Sequence, residues 1–193
     1  IAPAHPSAGR DVAPMKMFDL TGRVAFVTGG NGGIGLGIAN GLASAGAAIV
    51  VAARDETKTA NAVEELRQGG ASAEGISIDV GDESSVQAAV GAAIESQGRI
   101  DILVNNAGMN IRKRPEEYEL KEWSRIIDVN LTGAFLCSQA AYPHLAAQGG
   151  GKVINIASMF SLFGSDWVSA YAASKGGLVQ LTKSLAIAWA KDN

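Results

Sequence analysis

The sequence predicts an α/β protein: a doubly wound parallel sheet, strand order 3-2-1-4-5, with helices on both faces. Short β-branched runs alternate with helical periodicity along the chain, so the strands must be joined by crossovers, and crossovers make parallel sheets. Right-handed crossovers with one topological switch give the doubly wound order. A glycine-dense turn joins the first strand to the first helix. In such sheets ligands bind beyond the carboxyl ends of the strands, where that turn falls.

The elements follow in order. "VAFVT" (24–28) is β-branched and stopped by glycine, hence a buried strand. Ile34, Ile38 and Leu42 then recur at helical spacing before Gly46 caps the end. "AIVVAA" (48–53) is a second buried strand. "DETKTANAVEELRQGG" is an exposed helix, with Asp55 as N-cap and Gly69–Gly70 as the stop. "EGISIDV" is a third strand, and "DESSVQAAVGAAIESQG" a helix opened by Asp82 with Ser85 three later, a cap without a capping box. "IDILVNNAG" is a fourth strand running into a polar turn. Residues 120–148 form one helix broken near Val129–Asn130, or one long helix, with Pro143 kinking it or lying near its end. "GKVINIAS" is the fifth strand, and roughly 168–190 a long final helix.

Composition narrows the function. The 193 residues suffice for one substantial core and not for two comfortable domains. Residues 1–16 read as a disordered leader, leaving one domain over 17–193. With 47% hydrophobic and 18% charged residues the chain is globular, and a net charge of −3 without a long basic run argues against nucleic acid. The uncharged stretch Val24–Ala53 could pass for a membrane span, but its eight glycines mark strand, turn, helix and strand, so no membrane is expected. Cys137 is the one cysteine, a core residue by its surroundings, so no disulfide framework exists. His5 and His144 lack partners at ligand spacing, which disfavours a metal. No secretion signal is legible, and the cytoplasm is the expected compartment.

Two motifs carry the chemistry. "TGGNGGIGLG" (28–37) lies between strand and helix, where a dinucleotide pyrophosphate meets free backbone N–H groups and the helix dipole. It fits both G-x-G-x-x-G and T-G-x-x-x-G-x-G, and it lacks the lysine and Ser/Thr ending of a P-loop. "YAASK" (171–175) sets Tyr171 and Lys175 at the i,i+4 spacing, with Cβ atoms about 6 Å apart if helical. An ammonium that close favours the ionised phenol and would make a general acid/base. An amphipathic helix carrying both residues by chance is the bland alternative.

Taken together, Thr28–Gly35, "DV" (79–80), "NNAG" (105–108), Asn130, Ser158 and Tyr171-x-x-x-Lys175 resemble the ordinary-length branch of the short-chain dehydrogenase/reductase family, in order and spacing, from about Phe18 onward. The resemblance implies a Rossmann-like, dinucleotide-binding and catalytic domain. It implies that Tyr171 gives a proton to a carbonyl oxygen while the nicotinamide gives its hydride to the carbon. Lys175 then tunes the tyrosine and holds the nicotinamide ribose. Ser158, thirteen residues ahead of Tyr171, bonds the same substrate oxygen. Asn130 holds a water leading from Lys175, or satisfies backbone groups at a helix break. Thr28, Gly29, Asn31, Gly33, Ile34 and Gly35 form the pyrophosphate turn. Asp79 accepts from the adenine, or is a turn carboxylate, and Val80 lies against the ring. Asn106, Ala107 and Gly108 wall the cofactor, and Asn105 ties neighbouring strands. Oligomers, tetramer or dimer, pair through the two long helices.

NADP(H) is favoured over NAD(H). Asp55 lies twenty residues past Gly35, where an acid would bind a ribose hydroxyl, but its place at a helix start explains it as an N-cap. At the tip of the second strand stand neutral Ala53 and then Arg54, which can pair with a 2′-phosphate. The glycine turn itself lacks the basic residue that many NADP-preferring relatives carry.

The family pattern continues with a sixth strand, an Asn–Pro–Gly-type turn, a substrate loop and a seventh strand, so 17–193 is expected to be C-terminally incomplete. A chain ending at Asn193 would expose the edge of the fifth strand and hold half a substrate pocket. Arg112, Lys113 and Arg114 stand near the expected entrance, as attractors of an anionic substrate or as a solvated charge run. The nearest likeness is to sugar-acid (gluconate-type) dehydrogenases, with 3-oxoacyl-carrier reductases close behind. A non-catalytic nucleotide-sensing module is the rival from another class. A methyl transferase ranks far below, because its chemistry does not need Ser158, Tyr171 and Lys175.

Overall fold

Five apolar runs become five parallel strands in a computed structural model that describes residues 18–192; the expected leader over 1–16 lies outside them. The strands are β1 Val24–Thr28, β2 Ala48–Ala53, β3 Ala73–Ser77, β4 Ile102–Asn105 and β5 Lys152–Asn155. Their order is β3-β2-β1-β4-β5, as expected. The helices are α1 Gly33–Ser44, α2 Glu56–Gln68, α3 Glu83–Gln97, α4 Leu120–Ile127, α5 Gly133–Ala147 and α6 Ser169–Trp189.

The central strands are buried on both faces, which is why they read as unbroken apolar runs. Phe26, Val50 and Leu103 point to one side and pack with Val86 and Val90 of α3 and Cys137 and Leu145 of α5. Ala25, Val27, Ile49 and Val51 point to the other and pack with Ala39 of α1 and Val63 and Leu66 of α2. Each such large side chain contributes about 1.5–3 kcal/mol on burial, so these two layers hold the sheet.

Caps set the helix ends. The Asp55 carboxylate accepts from Lys58 N at 2.9 Å and the Asp82 carboxylate from Ser85 N at 2.7 Å. At the sheet's amino end, buried Asp101 takes hydrogen bonds from Arg23, Arg99 and Val24 N. Burial alone would raise its carboxyl, but the bonds from Arg99, Arg23 and Val24 outweigh it and hold it below the usual value.

Three details sharpen or change the expectation. Of the two readings of 120–148, one long helix is the one found, but not a regular one: α4 runs through a π-turn, Asp128–Thr132, into α5. There Gly133 N–H donates to the carbonyl of Asp128, five residues back. Pro143 sits inside α5, one turn from its end. Ile34, which shares the helical spacing of Ile38 and Leu42, is 69% exposed; Gly35 and Ala39 make the close approach of α1. The third strand stops at Ser77, because Asp79 N turns away to bond Ser85 Oγ at 2.9 Å. Among the described residues no helix is long and apolar enough to cross a membrane, and no cluster of His, Cys, Asp and Glu could hold a metal.

Candidate active site

The glycine turn leaves β1 at its carboxyl end. Thr28 is buried and its hydroxyl is fully engaged, accepting from the N–H groups of Asn106 and Ala107 at 3.0 Å each and donating to Val104 O. The Asn106 amide donates to the carbonyls of Thr28 and Gly29. The turn after β1 and the loop after β4 are thereby locked face to face. Gly29 has φ 62°, and a Cβ there would lie 3.0 Å from the Asn106 amide nitrogen. A Cβ on Gly35 would lie 2.2 Å from Gly29 O, so only glycine lets α1 start this close to the turn. Gly32 caps α1 without a side-chain acceptor. Its first amides are thus left for another partner.

An open cleft of about 420 Å3 runs along this seam, lined by the turn, by Arg54 and Lys58, and by Val80 and Asn106–Met109. A larger hollow of about 560 Å3 lies behind α2 at the β3 edge. It does not touch the glycine turn, whereas the first cleft is lined by it and reaches Gly108, so the chemistry is read from the first cleft.

The second half of the site is carried by α6. Lys175 is 4% exposed, and burial pushes its ammonium below the usual value. Its Nζ donates to Ile156 O, just past β5, at 2.7 Å, and lies 5.8 Å from the centroid of the Tyr171 ring. Tyr171 is half-buried, and its hydroxyl has no protein partner among the described residues. Ser158 follows β5 and caps a short 3-10 turn, its Oγ accepting from Phe160 N at 3.2 Å. The Phe160 ring meets that of Tyr171 edge-on at 6.4 Å, so one residue links serine and tyrosine.

Asn130 lies in the π-turn and is 1% exposed. Its Oδ1 accepts from Met109 N at 2.7 Å, and its Nδ2 donates to Met109 O and to Ser174 Oγ. Gly108 stands where the two halves meet: a Cβ there would lie 3.3 Å from Asn130 Oδ1 and 3.8 Å from Lys175 Nζ. Asn105 ties strands as expected, its amide donating to Asn155 of β5 and to Ser138 of α5. Cys137 offers no nucleophile, since burial pushes its thiol up to about 12.

Residues 23–193 match the family model described as short chain dehydrogenase. The chain belongs to the short-chain dehydrogenase family. It is 41% identical over 180 residues to a 2-dehydro-3-deoxy-D-gluconate 5-dehydrogenase of Formosa agariphila, covering 93% of this chain and 68% of that one. It is 39% identical to a 5-keto-D-gluconate 5-reductase of Escherichia coli K12, covering 92% and 70%. A gluconate 5-dehydrogenase from Burkholderia cenocepacia J2315, solved with NADP and tartrate, superposes with a TM-score of 0.88 at 41% identity, covering 91% and 69%.

As a short-chain dehydrogenase the protein is an NAD(P)-dependent oxidoreductase. The structure brings Asn130 and Lys175 together at Gly108, ties Asn130 to the Tyr171 turn of α6 through Ser174, links Ser158 to Tyr171 through Phe160, and gathers the glycine turn, Arg54, Val80 and Asn106–Gly108 at one cleft. Ile34 lies on the outer side of α1. Asp79 accepts from Gly81 N at 3.0 Å as a turn carboxylate, with its other oxygen 4.0 Å from Arg54.

Two of the three entrance cations are engaged: Lys113 with Glu122 at 2.6 Å, and Arg114 with Glu116 at 2.7 Å. Exposed Arg112 has no ion pair among the described residues. Ser174 was not anticipated, although its place between Tyr171 and Lys175 on one helix was a signal. Nor was Lys58, whose position depends on how α2 sits against the turn.

Proposed function

We propose that this short-chain dehydrogenase interconverts a secondary alcohol and a ketone on a sugar acid of the gluconate type, using NADP(H). The observation that carries this reading is the approach of the Lys175 ammonium, with the Tyr171 ring beside it, to Gly108 at the edge of the glycine-turn cleft. The cleft fits a dinucleotide: Gly29 and Gly35 leave a cradle that side chains would fill, and Arg54 at the tip of β2 suits a 2′-phosphate. Thr28, Gly29, Asn31, Gly33 and Gly35 would hold the pyrophosphate, Asp79 and Val80 the adenine, and Asn106–Gly108 the wall. When bound, the nicotinamide supplies or takes the hydride.

The chain's own residues manage the proton. Tyr171 donates it to the nascent alkoxide, or removes it from the alcohol in reverse, from a hydrogen-bond distance of about 2.6–3.2 Å. Ser158 donates a second hydrogen bond to the same oxygen and stabilises charge there. Lys175 keeps a positive charge beside the phenol, held in place by Ile156 O. Asn130 fixes the loop after β4 against α6, which sets Gly108 beside that ammonium. The sugar-acid class rests on the names of the relatives. Exposed apolar side chains on α5 and α6, Phe135 and Ile187, suit the pairing face of a homo-oligomer.

The test is nicotinamide absorbance on the full chain, with NADPH and NADH, against sugar acids, their keto forms and 3-oxoacyl thioesters. Turnover on a sugar acid is expected, and turnover on thioesters alone would refute the substrate class. Tyr171→Phe should lower kcat by about 10²–10⁴-fold with cofactor affinity kept. An unchanged kcat would refute the acid/base assignment.

A further inference from the structure

We propose that Lys58 is a specificity-determining residue for the cofactor: together with Arg54 it grips the 2′-phosphate that separates NADP from NAD. The inference rests on the reading of the cleft as a dinucleotide site, and adds to it a cation that comes from α2 and not from the turn. The first turn of α2 is strapped to the glycine turn, because Asn31 Nδ2 donates to Thr59 Oγ1 at 3.1 Å and to Asp55 O at 3.5 Å. That strap carries Lys58 across the turn. A Cβ on Gly32 would lie 2.9 Å from both Cε and Nζ of Lys58, so the ammonium fills the room that a side chain on residue 32 would take.

Charge points the same way. Lys58 and Arg54 both line the cleft beside neutral Ala53 at the end of β2. Among the described residues Lys58 has no ion pair, and the one partner of Arg54 is half-exposed Asp79 at 4.0 Å. Asp55, next to Arg54 in sequence, caps the helix by accepting from the backbone N–H of Lys58 itself. Two cations at one rim, Lys58 without an ion pair and Arg54 with only a long, exposed one, repel each other, and a dianion between them removes the repulsion. Neither the pyrophosphate nor the ribose of NAD brings such a group to the rim of β2; a 2′-phosphate does.

The test measures dissociation constants of NADPH and NADH by fluorescence titration on the full chain and its variants. Lys58→Met should weaken NADPH about tenfold, the scale of one charge-assisted hydrogen bond, and leave NADH within about twofold. Lys58→Arg should keep NADPH affinity. Gly32→Arg in the Lys58→Met background should restore it, since residue 32 has extended backbone (φ 172°) that any side chain accepts. Equal losses for both cofactors would place Lys58 on the shared pyrophosphate and overturn the inference, as would no loss. A wild-type preference for NADPH that Arg54→Met removes and Lys58→Met keeps overturns the inference alone. Equal binding of both cofactors by wild type, unmoved by Arg54→Met, overturns the NADP reading as well.

Discussion

Alanine at Gly35 and at Gly37, two residues apart on α1, should move stability in opposite directions. Helical propensity favours both changes by about 0.5–1 kcal/mol. At Gly37 nothing lies within 4 Å of the new methyl, so the propensity gain should appear whole. At Gly35 the methyl would sit 2.2 Å from Gly29 O and 2.4 Å from the Asn106 amide nitrogen. Neither neighbour is free to leave: Gly29 N donates to Ala52 O at 2.7 Å, and the Asn106 amide is bonded to two carbonyls. Overpacking costs about 1–3 kcal/mol, and each strained hydrogen bond about 1 kcal/mol. The clash therefore outweighs propensity, leaving Gly35→Ala about 2 kcal/mol less stable, or about 4–8 °C in Tm for a chain of this size. Urea titration of the two variants beside wild type measures this. A Gly35→Ala protein as stable as Gly37→Ala would show that α1 does not press on the turn as described.

Two further substitutions probe the frame around the cleft. Thr28→Val keeps the shape but leaves the Asn106 and Ala107 amides without their acceptor, and should cost about 2–4 kcal/mol; Thr28→Ser should recover most of it, and equal urea midpoints for Val and Ser would refute the role of the hydroxyl. Asp101→Asn should cost about 2 kcal/mol near neutral pH. Because the folded Asp101 value is depressed, that stabilisation is complete above the ordinary value of 3.8 and is lost as pH falls through the folded one. The gap between wild type and Asp101→Asn in urea midpoint should narrow toward pH 2; a gap unchanged there would refute the assignment.

Strand order and the Asp55 and Asp82 caps were legible in the sequence, because they follow from the alternation of elements and from one residue type at a helix start, whereas the tie made by Asn105 was legible only through the family resemblance. The π-turn was legible only as an ambiguity. A single extra residue within a helix shifts the apolar stripe without interrupting it, so Val129–Asn130 could be read as a break or as nothing. The spacing of Ile34, Ile38 and Leu42 says which residues share a helical period, not which face presses inward; the close approach at Gly35 decides that. Lys58 could not be seen at all. Its reach to Gly32 depends on the strap from Asn31 to Thr59, a contact between residues that no helical or strand period relates.

The π-turn has a consequence for the length of the α4–α5 rod. Each residue turns a helix by about 100°, so the added one rotates α5 relative to α4 by that amount. With that offset, α4 meets α6 while α5 meets α3. Deleting any one residue of 128–132 would wind the rod straight, swing one segment off its neighbour and turn Asn130 away from Met109. Insertions and deletions should accordingly be tolerated at the polar end of α5 near Gly149 and rejected at the bulge, which makes a single helical residue count a condition for both the packing and the crevice it frames.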